Sequence, residues 1–335
     1  MGRKDLPAEP RPAGRKPAGP TRHSLGWRGA TLTLISEDAV TIPSSFAGGG
    51  GSGILPEMAE REKAICLRTA DFSETSQVLH FLTRGAGVVR LLAKGTKRPK
   101  SKSGGALDLL SEGDLVFAPS RGDGLGALME FAETTSHALL RRDARRLYAA
   151  LYMIELAGLM VAESDPHPEV YDLLHNSLAR LAQPDAPAPA VLAFYQWRLL
   201  VNVGLIGQLE SCAACGLAIV AAGPPARDGR PGPPGADRRP GARQDVHFSS
   251  GQGGLLCRDC QAGTAEKLRL DEPALTGLAA LRAAAGSKAG GRKVAMPDAQ
   301  ADAINRMFAY HIACLLGKQL QLARYVIAPP PAGRR

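Results

Sequence analysis

The chain contains six cysteines, and four of them form two Cys-x-x-Cys pairs. The paired residues are Cys212 with Cys215 and Cys257 with Cys260. Two thiolates three residues apart can bind one tetrahedral metal ion from a tight turn, and a second such turn completes the coordination shell. Glycines beside both pairs allow each backbone to turn around the ion. We therefore predict one structural Zn²⁺ per chain, because a closed four-thiolate shell leaves no open position for catalysis.

Other interpretations of the pairs are two unrelated thiol pairs or a redox motif, although one redox motif does not require a second matching pair. Cys66 and Cys314 lie in apolar segments and are predicted to be buried packing residues. No disulfide framework is implied, which fits a reducing, cytoplasmic compartment. The longest apolar stretch, 147–162, contains Glu155 and is shorter than the roughly 20 residues of a membrane span.

Composition favours a globular protein with an anionic partner. The 335 residues allow two or three domains, and a hydrophobic content of 44% can form their cores. The net charge of +9 and the isoelectric point of about 9.4 suit a polyanion such as a nucleic acid. Aromatic residues make up only 5%, which argues against many base-stacking platforms.

The N-terminal half divides into an extension and a strand-rich segment. Residues 1–57 are rich in proline, glycine, arginine and serine, and we predict a disordered basic extension there. From 58 to 138, short apolar segments separated by turn residues favour a five-stranded barrel such as an OB-fold. The predicted strands are 64–69, 77–83, 87–93, 114–118 and 127–132.

After residue 138 the apolar residues recur at helical spacing, which predicts an all-helical domain in two parts, 139–208 and 263–325. The predicted helices are 141–163, 168–182, 188–204, 273–285 and 298–318. A zinc module, 209–262, separates the two parts, and its interior, 221–245, is predicted to be a disordered insertion. Residues 326–335 are predicted to be a frayed tail. The expected fold class is therefore α+β, a barrel followed by a helical domain with an inserted four-cysteine module.

The strongest basic cluster lies on the loop between the third and fourth predicted strands. Its cations are Lys94, Lys97, Arg98, Lys100 and Lys102. Such side chains neutralise phosphates, so we predict that this loop contacts DNA, with a solvated basic loop as the alternative. Weaker candidates are Arg84, Arg90, Arg141, Arg142, Arg145 and Arg146. If the last four begin one helix, Arg142 shares a face with Arg145 and Arg146.

Motifs for common catalytic chemistry are absent from the sequence. It contains no Gly-x-x-x-x-Gly-Lys-Ser/Thr phosphate loop and no His-Glu-x-x-His. Its seven histidines are scattered and show no pairing with a nucleophile. We therefore expect a protein that is not an enzyme.

In combination, several segments resemble the bacterial RecO family of DNA repair proteins. They include Ala-Ile-Cys-Leu-Arg-Thr-Ala-Asp-Phe-Ser-Glu-Thr-Ser from Ala64, Leu-Thr-Arg-Gly-Ala-Gly from Leu82 and Ala-Lys-Gly-Thr-Lys-Arg-Pro-Lys-Ser-Lys from Ala93. The cysteine region is also similar, with Glu-Ser-Cys-Ala-Ala-Cys-Gly from Glu210 and Phe-Ser-x-x-x-Gly-Gly from Phe248. The resemblance covers roughly 58–325 and departs from the family in the N-terminal extension and the long insertion.

The resemblance implies a non-enzymatic mediator of recombinational repair. Family members bind single- and double-stranded DNA, anneal complementary strands and act with RecR to load RecA recombinase onto DNA coated by single-strand-binding protein. The C-terminal tail of that coat protein binds the helical domain. This role implies a nucleoid-associated cytoplasmic protein without a membrane partner.

Two other function classes stay open at this point. NAD-dependent DNA ligases also combine an OB-fold with a four-cysteine zinc module, but the Lys-x-Asp-Gly tetrapeptide of their adenylation site does not occur here. A zinc-ribbon transcription regulator is the other alternative. Annealing of complementary strands without ATP distinguishes the three classes.

Overall fold

The structure, a computed structural model, describes residues 59–97, 105–120, 122, 124–219, 245–286 and 296–329. The predicted extension, 1–57, lies outside these residues, as does the predicted insertion except for Asp245. Within the described part, a barrel is followed by helices and by a small sheet next to the four paired cysteines.

Five strands form a closed barrel in the order β1-β2-β3-β5-β4. They are β1 (Glu60–Asp71), β2 (Gln77–Thr83), β3 (Gly87–Ala93), β4 (Glu112–Ala118) and β5 (Gly126–Thr135). β3 and β5 pair in parallel, and the antiparallel pairing of β1 with β4 closes the barrel. The predicted five-stranded barrel is thus confirmed. β1 begins before the predicted 64–69 because its first residues pair with β4, where Lys63 Nζ lies 2.7 Å from Asp114 Oδ1.

Alternation along the strands gives the barrel two apolar surfaces. Inward-facing residues form its core, in which the rings of Phe81 and Phe131 lie 5.2 Å apart. A bulge between Cys66 and Arg68 shifts the pairing of β1 with β2. Outward-facing apolar residues instead join the core of the helical domain. The members of this shared apolar seam on the barrel are Ile65, Leu67, Leu82 and Val88.

Six helices follow within the described residues, and none of them is long and apolar enough to cross a membrane. They are α1 (Ala144–Met160), α2 (Pro168–Leu181), α3 (Ala188–Asn202), α4 (Glu272–Gly286), α5 (Asp298–Leu316) and α6 (Ala323–Val326). α6 was not predicted, and Val326 and Ile327, which were assigned to the tail, pack against the helical core.

The predicted helix 141–163 is wrong at its start. A 3₁₀ turn over Ala138–Arg142 precedes α1, and Asp143 between them is extended. The Asp143 carboxylate accepts hydrogen bonds from the backbone N–H groups of Arg145 and Arg146. An aspartate that caps a helix in this way ends the regular pattern on its N-terminal side. Arg142 therefore does not share a helix with Arg145 and Arg146.

A buried polar network fixes α3 against α5. Gln196 Nε2 donates to Asn305 Oδ1 over 2.8 Å, and Asn305 Nδ2 donates to the Pro189 carbonyl over 3.0 Å. Both side chains are fully buried, and removing either would leave the other without its partner in the core. The network therefore specifies the register of these two helices.

The cysteine region contains a three-stranded sheet in the order β7-β6-β8. Its strands are β6 (His247–Ser249), β7 (Gly254–Leu256) and β8 (Lys267–Arg269). Because β8 pairs with β6, the sheet extends past the predicted end of the module at residue 262. Asp245 is also part of this structure, since its carboxylate accepts from Gln261 and pairs with Arg269.

A histidine joins this sheet to the helices. His311 is fully buried, and its Nε2 lies 2.8 Å from the Leu205 carbonyl, which can only accept. Nε2 therefore carries the proton, and Nδ1 accepts a hydrogen bond from Ser250 Oγ over 2.8 Å. Burial lowers the pKa of His311, so the ring is neutral at pH 7.

A buried carboxylate joins the barrel to α2. Glu112 at the start of β4 accepts hydrogen bonds from Tyr171 Oη and His137 Nε2, each over 3.1 Å, and contacts His175 Nδ1. Burial raises the pKa of Glu112, but the bonds from His137 and His175 and their charge outweigh it, so its pKa lies below its usual value. The carboxylate is therefore ionised when folded.

Changing Glu112 to Gln should lower the free energy of unfolding at pH 7 by roughly 1–3 kcal/mol, since an amide has one acceptor oxygen for three donors. A folded pKa below the unfolded value adds stability above the unfolded pKa, and this stability is lost as pH falls through the folded pKa. The difference between wild type and variant in urea unfolding should therefore shrink below about pH 4.5. Glu133→Gln on the exposed side of β5 is the matched control, and equal stability of wild type and Glu112→Gln at pH 7 would contradict this role.

Candidate metal centre and nucleic-acid interface

The first cysteine pair lies on a tight backbone turn. The N–H of Cys212 donates to the Leu217 carbonyl over 2.7 Å, and the N–H of Gly216 donates to the Cys212 carbonyl over 2.8 Å. Gly216 has a φ of +75°, a conformation that glycine adopts without strain. The turn brings the thiols of Cys212 and Cys215 to the same side.

The second pair follows β7 and is attached to the first. The N–H of Ala213 donates to the Leu255 carbonyl over 2.7 Å, which aligns the first turn with β7. The N–H of Cys257 donates to Cys212 Sγ over 3.4 Å, and the N–H of Cys260 closes its own turn onto the Cys257 carbonyl. Backbone pairing between the first turn and β7 therefore brings the four thiols together.

The four sulfur atoms lie within 4.8 Å of one another. Cys215 Sγ and Cys257 Sγ are 3.8 Å apart, the separation expected for two ligands of a tetrahedral ion with metal–sulfur bonds of about 2.3 Å. The predicted ligands Cys212, Cys215, Cys257 and Cys260 are thus brought together and could hold a metal ion.

The electrostatics of the thiols favour a cation at their centre. Burial raises the pKa of Cys212, but backbone N–H groups directed at its sulfur outweigh this effect and lower the pKa to about 6. Hydrogen bonds with neighbouring thiols, first of all that of Cys257, raise the pKa of Cys260 to about 12. One thiolate forms readily, whereas further ionisation in so small a space needs a positive ion.

The predicted DNA-contacting loop is described only in part. Arg98, Lys100 and Lys102 lie outside the described residues. Lys94 is exposed after β3 and makes no ion pair with a described residue. Lys97 Nζ lies 2.6 Å from Asp71 Oδ1, so this lysine bridges the loop to the end of β1. Of the two described lysines, Lys94 is thus the one that presents its charge to solvent.

Two of the weaker candidates lie at the contact between the barrel and the helical domain. Arg84 binds Asp172 of α2 through two bonds, Nε to Oδ1 over 2.9 Å and Nη2 to Oδ2 over 3.0 Å. The hydrogen bonds and charge of Arg84 hold the pKa of Asp172 below the usual value. Arg90 Nε lies 2.7 Å from Oε2 of Glu163, which follows α1. Both arginines therefore connect the two domains.

Of the arginines around the start of α1, two bind acidic side chains and two are exposed. Arg141 binds Asp108, and Arg146 binds Asp143 together with the carbonyls of Gln183 and Pro184. Arg142 and Arg145 are exposed and form no ion pair with the described part of the chain. The structure thus leaves Arg142 and Arg145 as the outward cations of this group, on either side of the Asp143 cap.

One cationic feature of the barrel was missed by the sequence predictions. Arg68 of β1 lies opposite His80 of β2, which lies opposite Arg90 of β3. Residues directly opposite on antiparallel strands share a face, so these side chains form one row. Alternation along β2 and β3 could have placed His80 and Arg90 on the outer face, but the bulge in β1 hid the position of Arg68.

Two family models match the chain. The model for the N-terminal domain of Recombination protein O matches residues 58–136, and the model for its C-terminal domain matches residues 141–324. The first match covers the barrel, and the second covers α1 to α5, the start of α6 and the cysteine region. The two domains of the family thus coincide with the two parts of the structure.

Curated relatives agree over most of the chain. DNA repair protein RecO of Anaeromyxobacter dehalogenans (strain 2CP-C) is 29% identical over 265 residues, which are 78% of this chain and 93% of that protein. The protein of the same name from Rhodopirellula baltica is 31% identical over 64% of this chain and 72% of its own length. The protein of that name from Myxococcus xanthus is 27% identical over 78% of this chain and 93% of its own length. Because both family domains match the barrel and the helical region in the correct order, this chain belongs to the RecO family of DNA repair proteins.

Proposed function

We propose that this protein is a non-enzymatic recombination mediator that binds single- and double-stranded DNA and anneals complementary strands. The observation that carries the proposal is the match of both RecO domains to a barrel and a helical region whose connected surface presents basic side chains. Family membership supports a role in DNA repair, and the exposed cations supply the chemistry for contacts with phosphates.

Annealing requires that two polyanions approach each other while their bases remain free to pair. Lysine and arginine side chains on a rigid barrel neutralise phosphates without reading the bases, so such binding is independent of sequence. Charge neutralisation is an equilibrium effect and needs no nucleotide hydrolysis. We therefore place the function in binding rather than in catalysis.

The proposed role includes protein partners. RecR is the proposed co-mediator, RecA is the recombinase that is loaded, and the C-terminal tail of single-strand-binding protein binds the helical domain. These partners follow from the family resemblance. Because the proposed substrate is DNA, the proposed location is the nucleoid in the cytoplasm. Neither the ligase nor the transcription-regulator alternative gains support from the family matches.

We further propose that the four-cysteine centre holds one structural Zn²⁺. A set of four thiolates whose sulfur atoms all lie within 4.8 Å of one another suits Zn²⁺ and leaves no open coordination position. When bound, the ion supplies a rigid cross-link between the two cysteine turns. The cysteine turns thus have a structural role, and the contacts with DNA belong to other parts of the chain.

Protein purified without chelator should contain about one zinc ion per chain, as measured by elemental analysis. Cys257→Ser should abolish stoichiometric zinc and lower the midpoint of thermal unfolding, because metal binding is coupled to folding of the module. Cys314→Ser is the matched control, since this cysteine lies on α5 outside the cluster and its loss should leave the zinc content unchanged. A wild-type protein without stoichiometric zinc would refute the proposed centre.

Lys94→Glu combined with Arg98→Glu should weaken DNA binding to a similar degree for all sequences. Each lost phosphate contact makes the slope of log K against log salt shallower by about 0.7 for single strands, so the double variant should lose about 1.4. Lys97 is left unchanged in this design because its pairing with Asp71 would confound binding with stability. Strand annealing, followed by fluorescence, should fall in parallel with binding.

Two comparisons control this experiment. Arg61→Glu reverses an exposed charge on β1 and should leave annealing close to that of wild type, in contrast to the single variant Lys94→Glu. Addition of ATP should change none of the rates. Annealing that requires ATP, or that survives the double charge reversal at the wild-type rate, would count against the proposed function.

A further inference from the structure

Arg68, His80 and Arg90 form one row across three strands on the outer face of the barrel. We propose that this row binds a phosphodiester group of DNA and that His80 takes up a proton when the phosphate binds. The inference rests on the proposed DNA-binding function and adds a second contact region and a proton linkage to it.

The position of the row follows from the strand pattern. Leu79 and Phe81 on either side of His80 point into the barrel core, so His80 points outward. The next outward residues in one direction, Leu82 and Val88, belong to the apolar seam with the helical domain. The row therefore borders the seam, where a bound strand can contact the barrel beside the helices.

The charged groups of the row carry an excess of positive charge that one anion can balance. Arg90 is balanced at one end by Glu163, whose Oε2 lies 2.7 Å from Arg90 Nε. Arg68 at the other end is exposed and forms no ion pair with a described residue. His80 lies between the two arginines, and an anion bound near Arg68 and His80 offsets the positive charge that disfavours protonation of the ring. A guanidinium group also matches the geometry of phosphate oxygens.

The ionisable groups that face His80 are Arg68 from β1 and Arg90 from β3, together with Glu163 through its pair with Arg90. Burial, followed by the charges of the two arginines, lowers the pKa of His80 to about 4. The ring is therefore neutral at pH 7 in the free protein. A phosphate favours the charged form of the ring and raises its pKa, so binding takes up a proton and affinity increases as pH falls.

The proton linkage should make the affinity for DNA depend on pH. If the bound phosphate restores the ordinary histidine pKa of 6.5, affinity for DNA should increase about fourfold from pH 8 to pH 6 on account of His80 alone. At pH 6, binding should then take up about 0.7 proton per bound phosphate at the row. Both effects disappear if residue 80 cannot be protonated.

The experiment measures binding of a fluorescently labelled single-stranded oligonucleotide to the full-length protein at pH 6, 7 and 8 and over a series of salt concentrations. His80→Gln should bind like wild type at pH 8 but lack the additional fourfold gain at pH 6. Arg68→Gln should reduce the slope of log K against log salt by about 0.7. Arg61→Gln, an exposed arginine on the same strand, should match wild type in both measurements.

Calorimetry provides a second test, which measures proton uptake directly. Titration with the oligonucleotide in two buffers of different ionisation enthalpy reports the protons taken up, and His80→Gln should reduce that number at pH 6. Equal pH dependence in wild type and His80→Gln, or equal salt slopes in Arg68→Gln and Arg61→Gln, would overturn the row as a phosphate site while leaving DNA binding intact. A wild type that binds no DNA at any pH would overturn the proposed function itself.

Discussion

The apolar seam between the barrel and the helical domain is the contact on which the rest of the structure depends. Its residues face outward from the barrel and would lie in water if the barrel folded alone, so burial against the helices stabilises both parts. Glu112 lies within the same junction, where three donors satisfy its charge. The contacts of Glu112 also fix the orientation of the barrel relative to the helices. An ionised carboxylate is tolerated in the junction only while its donors remain in place. The barrel and the helices can therefore present their cations as one rigid surface.

Much of this arrangement could be predicted from local pattern. Strands β2 and β3 match their predicted ranges, and α2, α3, α4 and α5 match within about two residues, because alternation and helical spacing are local properties. The prediction failed where a single side chain or a distant partner decides the structure. Asp143 caps α1 and separates it from the preceding turn. The three-residue strand β8 exists only through pairing with β6, so its own sequence carries little signal.

In the candidate sites, too, local features could be predicted and long-range contacts could not. The cysteine ligands could be predicted because their spacing is itself the chemistry. The partners of the arginines could not be predicted, because Arg84 and Asp172 are 88 residues apart in sequence and meet only through the tertiary fold. Ion pairs between exposed groups contribute little to stability, so under the proposed function such an arginine can exchange its carboxylate for a phosphate. Under the same proposal, the pairs also hold the guanidinium groups in place before DNA binds, which lowers the conformational entropy lost on binding.

The cysteine centre is connected to the rest of the molecule by more than chain continuity. Ser250 follows β6, and its hydroxyl donates to His311 of α5, whose other nitrogen donates to the carbonyl of Leu205, three residues after α3. Phe248 of β6 packs edge-on against the same ring. Because His311 is buried and neutral, this connection depends on one tautomer and loses a partner if the sheet moves. If the cysteine turns hold the proposed metal ion, the order it imposes on them would therefore reach the helices through β7 and β6, although the turns themselves lie at the surface.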